Sequence, residues 1–442
     1  MSSTNTVKIR KFYSDNVKRV QVEPIKQDIY AVIGKDSLWA NESVPDVIND
    51  SRLDRISFYA DIIGGKKISP TDSIKVARRI DWTSGTIYDY YDDSIDLVFG
   101  ESKTNPSSPS QFYVLSSNLD VYKCLDNNNN TQSTIEPSGQ LSNSFVTLDG
   151  YRWKYMYTIT SSQETDYITP EWMPIQTLDT LDGSSQWNTQ VSAVSGAIEH
   201  IQVVSGGSGY NSLDLPNVTI TGDGVGATAT ATIDDSGVGV VSNIVITSMG
   251  SGYTNATVSV SGNTGNSAIA RVILSPENGH GSDAASELGG VFDMMIVRFI
   301  DNEGGKIPTG ISYRKVGLLL NPKTTEDGYL YELSGITGDF IDGESATGPS
   351  GTGTVIKFLG LEDKVYFRVV TGTFSNSETI VGDTSAISGV ISTQTQTKLP
   401  ITSNLFGIGE LATDEGDVLY MENLVAINRL VGQVELLQFV LL

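Results

Sequence analysis

The 442-residue chain has one cysteine, two histidines and few cations. Each scarcity excludes something. Cys124 alone cannot form an internal disulfide, so the fold does not depend on oxidation. Within Val121-Tyr-Lys-Cys-Leu125 it reads as a small packed residue rather than a nucleophile. His200 and His280 are too few for a histidine-built metal site, and no His-Glu-x-x-His pair occurs. Each reads as an ordinary residue, one in a strand and one in a glycine turn. No segment approaches the ~18 apolar residues of a membrane span. Lys8, Arg10 and Lys11 are followed by no apolar run, so no secretory signal is read and folding in a cytoplasm is expected. With 29 Lys and Arg against 52 Asp and Glu, the formal net charge is −23. Such a surface repels nucleic acid and anionic membranes, and neither is expected as a partner, whereas a basic partner would be steered towards it.

Glycine, by contrast, is plentiful, with 44 residues. Together with Ser and Thr it predicts many turns and short strands, and the length suits two or three domains. The expected fold is mainly β with a few N-terminal helices, built as a β-sandwich-like core with two inserted small β-repeat modules. Two apolar segments, near 7–13 and 28–33, open the chain. A helix is predicted over 44–63. Pro45 suits its first turn, Leu53, Ile56, Ala60 and Ile63 fall at helical spacing, and Gly64-Gly65 would end it. A second helix is predicted over 71–79, after Ser69-Pro70. Residues 111–115 and 121–125 form a hairpin pattern around Ser116-Ser-Asn118. In Asp149-Gly-Tyr-Arg-Trp-Lys-Tyr-Met-Tyr-Thr-Ile159 a turn signal precedes strict alternation. Tyr151, Trp153, Tyr155 and Tyr157 share one face, read as a core face. Arg152 and Lys154 lie on the other, expected to be the more exposed. Further strands are predicted at 292–299, 316–320, 416–423 and 435–442. The last is nearly all apolar and should be buried, central in a sheet or paired with another subunit.

Two regions repeat themselves. Ile198-Glu-His-Ile-Gln-Val-Val-Ser-Gly-Gly-Ser-Gly-Tyr210 aligns with Val241-Ser-Asn-Ile-Val-Ile-Thr-Ser-Met-Gly-Ser-Gly-Tyr253. Each copy continues into two more strand patterns, 218–221 and 227–233 in the first, 257–261 and 268–273 in the second. Two such units could stack as a small β-sandwich or β-prism-like module. Further on, Phe340, Glu344 and Gly348 match Phe374, Glu378 and Gly382 at one common offset. The division expected is 1–190 (core), 191–275 (first repeat module), 276–334 (core), 335–396 (second repeat module) and 397–442 (C-terminal core strands).

No catalytic, cofactor-binding or metal-binding residue is assigned. Asp126-Asn-Asn-Asn-Asn130 starts like a calcium loop, but Thr131 stands where glycine is needed and Pro137 where a bidentate glutamate is needed. Gly222-Asp-Gly224-Val-Gly226 leads into a strand, and Gly407-Ile-Gly409 has no βαβ surroundings, so neither is a phosphate loop. Asp92/Asp93, Asp234/Asp235 and Glu171 sit in polar turns and are read as solvated, not as a glycosidase pair. Tyr210 and Tyr253 offer rings that could stack on a sugar, but packing of each across its own hairpin is the preferred reading.

Scattered blocks resemble the gene-eight baseplate wedge proteins of T-even-type contractile-tailed phages. They are Ile33-Gly-Lys-Asp-Ser-Leu-Trp39, Arg78-Arg-Ile-Asp-Trp82, Tyr122-Lys-Cys-Leu-Asp126 and Asp149-Gly-Tyr-Arg-Trp-Lys-Tyr155. Tyr313-Arg-Lys-Val-Gly317 with Asn321-Pro322, and Tyr420-Met-Glu-Asn423 with the terminal strand, complete the series in order. The resemblance implies a non-enzymatic virion protein of the tail baseplate, a homodimer whose partners are other wedge proteins. The two repeat regions have no counterpart in that pattern. The alternative is a carbohydrate-binding adhesin or tail-spike-like protein using the tyrosine turns.

Overall fold

The computed structural model describes residues 27–96, 98, 100–105, 108–262 and 265–441. The apolar segment near 7–13 lies outside them. The mainly β expectation holds. Strands in order are β1 (Ile29–Gly34), β2 (Ile62–Lys67), β3 (Ser73–Arg78), β4 (Tyr113–Leu115), β5 (Asp120–Asp126), β6 (Phe145–Val146), β7 (Arg152–Thr158) and β8 (Trp172–Pro174). Then come β9 (Ile198–Ser208), β10 (Asn217–Gly222), β11 (Val225–Asp234), β12 (Val240–Ser251), β13 (Ala256–Ser261), β14 (Asn266–Leu274), β15 (Phe292–Ile300) and β16 (Ile311–Leu320). The last are β17 (Lys323–Ser334), β18 (Ser345–Gly348), β19 (Gly351–Leu359), β20 (Lys364–Gly372), β21 (Thr379–Gly382), β22 (Ser388–Pro400), β23 (Leu405–Phe406), β24 (Asp417–Arg429) and β25 (Val434–Leu441). Among the described residues no helix is long and apolar enough to cross a membrane.

The chain divides into two compact units, one containing residues 74–292 and the other residues 27–73 with 293–441. In the first, β4, β5, β7 and β6 form an antiparallel sheet in that order. Tyr151, Trp153 and Tyr155 of β7 are fully buried with Tyr88, Tyr122 and Cys124. The Tyr151 and Trp153 rings stack at 5.5 Å, and Tyr88 meets Trp153 edge-on at 5.9 Å. The expected aromatic core face is therefore present for three of its four residues; a register shift between Val121 and Tyr122 turns Tyr157 into the cluster of Val121 and Met156 instead. The other face is not the exposed one expected. Lys154 is only 3% exposed and Met156 1%. The helix Ser185–Ser192 packs on β7, and a Cβ added to Gly281 would lie 3.1 Å from the Lys154 side chain, so both faces are covered.

The first repeat region folds in the same unit as three two-stranded pairs, β9 with β14, β12 with β11 and β10 with β13. Each copy supplies one strand to every pair, so the copies are exchanged rather than self-contained. Tyr210 and Tyr253 show why. They do not pack across their own hairpins. Each ring covers a glycine of the opposite copy, where an added Cβ would lie 2.3 Å from the ring at Gly265 and 2.4 Å at Gly224. Each hydroxyl accepts a backbone N–H there, from Ala268 and Ala227 respectively, both at 3.3 Å.

In the second unit β23, β2, β1, β16 and β24 form a five-stranded sheet, with β1 buried along its whole length. Both predicted helices are corrected here. The first runs only over Arg52–Asp61, because Ser51 and Asp54 form a reciprocal capping box at its start. Gly64 and Gly65 do not end it; they lie in β2, where a Cβ on Gly65 would lie 2.5 Å from the Phe406 ring. Over the second, helical geometry stops after the single turn Pro70–Asp72, and Ser73–Arg78 is extended with Val76 and Ala77 buried. β25 pairs with β15 from Asp293↔Leu441 to Ile300↔Val434. It is an edge strand with mostly half-exposed residues, so of the two settings expected for it, a central place in a sheet is excluded. Strands β17–β22 close into a six-stranded barrel filled by Tyr331, Phe340, Phe358, Phe367 and Phe374. The barrel takes in Lys323–Pro400, so it is wider than the repeat itself. Equivalent bonds recur in the two copies, with two residues more between donor and acceptor in the second. Gly343 N–H donates to Val355 O (2.7 Å) as Ser377 N–H donates to Ile391 O (2.8 Å).

Candidate binding cleft and buried charge cluster

Both features lie in the first unit, where the repeat module meets the aromatic sheet. β5 and β7 place Lys123 directly opposite Lys154. Like charges in that position repel, and here both are buried. Compensation comes from far along the chain. Lys123 Nζ lies 2.7 Å from Glu287 Oε2 and 3.1 Å from His280 Nδ1, and 4.1 Å from the centre of the Tyr91 ring. Glu287 Oε1 accepts the Gly281 N–H at 2.8 Å. The short helix Ala284–Leu288 and the glycine turn before it therefore aim one carboxylate at one ammonium. Lys154 donates to Ser142 O at 2.6 Å and shares the field of Glu199. Burial works against the charge on Glu287, but Lys123 and His280 win and hold its pKa down at about 2. Burial, then the Lys123 charge, push the His280 pKa down, so the imidazole is neutral at pH 7. His280 is thus a buried member of an ion-pair network, not merely a turn residue.

The expected solvated state of Asp92 is also corrected. Its carboxylate is 1% exposed and takes a fork from Arg271 of β14 at 2.8 and 3.1 Å, with Ser94 and Lys103 as further donors. Burial opposes its ionisation, yet these bonds hold the carboxyl well below the usual carboxylate range. Asp93 also contacts Arg271 and accepts the Leu274 N–H at 3.1 Å. The Asp92-Asp93 pair is therefore a latch for β14. Asp235 is exposed and accepts the Ser212 N–H at 3.2 Å; Asp234 and Glu171 are exposed.

A polar cleft of about 140 Å³ opens beside this junction, lined by Tyr90, Asp126, Asn127–Asn130, His200, Ile201, Gln202, Val203 and Asn243. The run Asn128, Asn129, Asn130 holds three successive left-handed residues, φ 50°, 57° and 62°, which asparagine tolerates better than most residues. Asp126 Oδ1 fixes the turn by accepting the Asn128 N–H at 2.9 Å, and Oδ2 faces His200 Nδ1 at 3.4 Å. Burial opposes ionisation of Asp126, but His200, the Asn128 N–H and the Arg152 charge together outweigh it and lower its pKa, so the carboxyl stays ionised. In the sequence Asp126 belongs to a polar loop and His200 to a repeat strand. Nothing local marks them as a pair, nor Lys123 and Glu287, because both pairings are long-range. The one local signal was the asparagine run. No protein-family model matches the chain, and no curated protein is similar to it.

Proposed function

We propose that the chain is a structural subunit of a contractile-tail baseplate wedge, a non-enzymatic virion protein that holds neighbouring wedge proteins through β-rich interfaces. The observation that carries this reading is where the resembling blocks fall. Tyr122–Asp126 and Asp149–Tyr155 meet across β5 and β7, and Tyr313–Gly317 pairs with β24, which carries Tyr420–Asn423. Ile33–Trp39 starts in β1, the other neighbour of β16. None of the blocks falls in β9–β14 or in the barrel strands β17–β22. A pattern concentrated in mutually paired core strands is that of a shared scaffold with added modules. The adhesin reading has less support, since Tyr210 and Tyr253 are 4% and 6% exposed and offer no ring face to a sugar. The test is mass spectrometry of purified tailed particles from cells expressing the gene, with antibody labelling in electron microscopy. The expected result is the intact chain at the baseplate; its absence from particles overturns the reading.

A further inference from the structure

We propose that the turn 276–283 is an acid-released clasp, opened when His280 takes up one proton. The inference stands on the geometry of the buried cluster and does not depend on where the chain assembles. The turn runs along the surface, with Glu277 and Asn278 exposed, and buries the His280 side chain. Lys123 Nζ carries protons and no lone pair, so at 3.1 Å His280 Nδ1 must accept from it. The ring is then neutral, with its proton on Nε2. A proton added to Nδ1 sets a donor against a donor, and that bond is lost.

The charges around the ring already balance. Lys123 of β5 and Lys154 of β7 are offset by Glu287 of the helix Ala284–Leu288 and Glu199 of β9, all of them buried. Tyr91, whose ring centre lies 4.7 Å from that of His280, is kept protonated by burial. Asp283 is occupied in capping the helix through Ser286. The cluster is therefore neutral only while His280 is neutral, and a third buried cation has no carboxylate of its own. The nearest relief is Glu287, with Oε2 3.8 Å from Nδ1. Turning it to the imidazolium withdraws Oε1 from the Gly281 and Asp283 N–H groups, which it holds at 2.8 and 3.3 Å. Those bonds fasten the turn to the helix, so one proton on the ring loosens the backbone beside it.

Hydrogen exchange on the full chain tests this, followed at single amides by NMR and corrected for the chemical rate at each pH. Between about pH 7.5 and 5.5 the opening constant of the Gly281 and Asp283 amides should rise about tenfold, the factor for one proton taken up at the ordinary histidine pKa near 6.5. The Trp153 amide in β7 should not follow. His280→Gln should abolish the rise, because its side-chain oxygen accepts from Lys123 and takes up no proton. Should that variant fail to fold, the His280 ring signals of the unaltered chain decide. They should stay those of the neutral Nε2–H form while the turn is closed and change together with the opening at Gly281. An imidazolium in the closed turn, no rise at Gly281, or a rise that survives in His280→Gln overturns the proposal. An equal rise at Trp153 also overturns it, because the event is then unfolding of the whole unit.

Discussion

Lys123 shows how one residue can be costly alone and tolerable in company. A buried ammonium is unfavourable, but Glu287 neutralises it and the Gly281 N–H holds that carboxylate in place. Lys123→Met should therefore destabilise the first unit by about 3–5 kcal/mol, because Glu287 is left buried without a partner. Urea unfolding measures this, and a change within error would mean that Glu287 finds solvent. The same cluster predicts acid lability. Glu287 ionises more readily folded than unfolded, so its stabilisation is present above the unfolded carboxyl pKa near 4.5 and is lost as pH falls towards about 2. His280 resists protonation when folded, so stability drops as pH falls below its unfolded value near 6.5. Both act in one direction. Lys123, Glu287, Glu199 and Lys154 all bear on these titrations. His280→Gln should flatten stability between pH 7 and 5 while leaving the steeper loss at lower pH. Trp153→Ala, at a fully buried site between Tyr88 and Tyr151, should cost about 3–5 kcal/mol in the same assay.

At the scale of elements, the exchange of strands between repeats has consequences for folding. The first copy pairs β9 with β14 and β11 with β12, both partners coming from the second copy. One copy alone therefore has no hydrogen-bonded neighbour for either strand. A peptide covering residues 195–235 should be unstructured by circular dichroism, and adding an equimolar peptide covering 238–275 should restore strand signal. Strand signal in the single peptide would mean that a copy is self-sufficient. Gly265→Ala and Gly224→Ala should each destabilise the module by about 1–3 kcal/mol, since the methyl group meets a tyrosine ring. The repeat itself was legible in the sequence, as were its six strands. The exchange was not, because Gly-Ser-Gly-Tyr has the same local form whichever copy its ring covers. Likewise Gly64-Gly65 has the look of a helix stop, and only Phe406, more than 300 residues on, explains the pair as a floor for a ring.

For the whole molecule the prediction concerns association. β25 is an edge strand with an apolar sequence and half-exposed side chains, which leaves pairing with another subunit as the remaining setting expected for it. The resemblance implies a homodimer. Sedimentation at micromolar concentration should give a species of twice 47.5 kDa. A monomer throughout would count against the wedge reading, and Leu436→Lys on β25, on the face turned away from the core that Leu437 and Phe439 join, shifting a dimer to monomer would locate the contact.

The sequence by itself determined what depends on neighbours a few residues away. It determined the mainly β class, the two repeats, the hairpin of β4 and β5, and the aromatic face of β7 as far as Tyr155, because period-two alternation and turn chemistry are local, whereas the shift that turns Tyr157 away is not. Tertiary structure decided the rest. It made 73–78 a strand and covered the second face of β7. It turned Asp92 from a solvated residue into the anchor of Arg271, and joined Lys123 to Glu287 and Asp126 to His200. Each of those outcomes rests on a partner distant in sequence. Burial and charge compensation are properties of the assembled neighbourhood, and no window of the chain contains them.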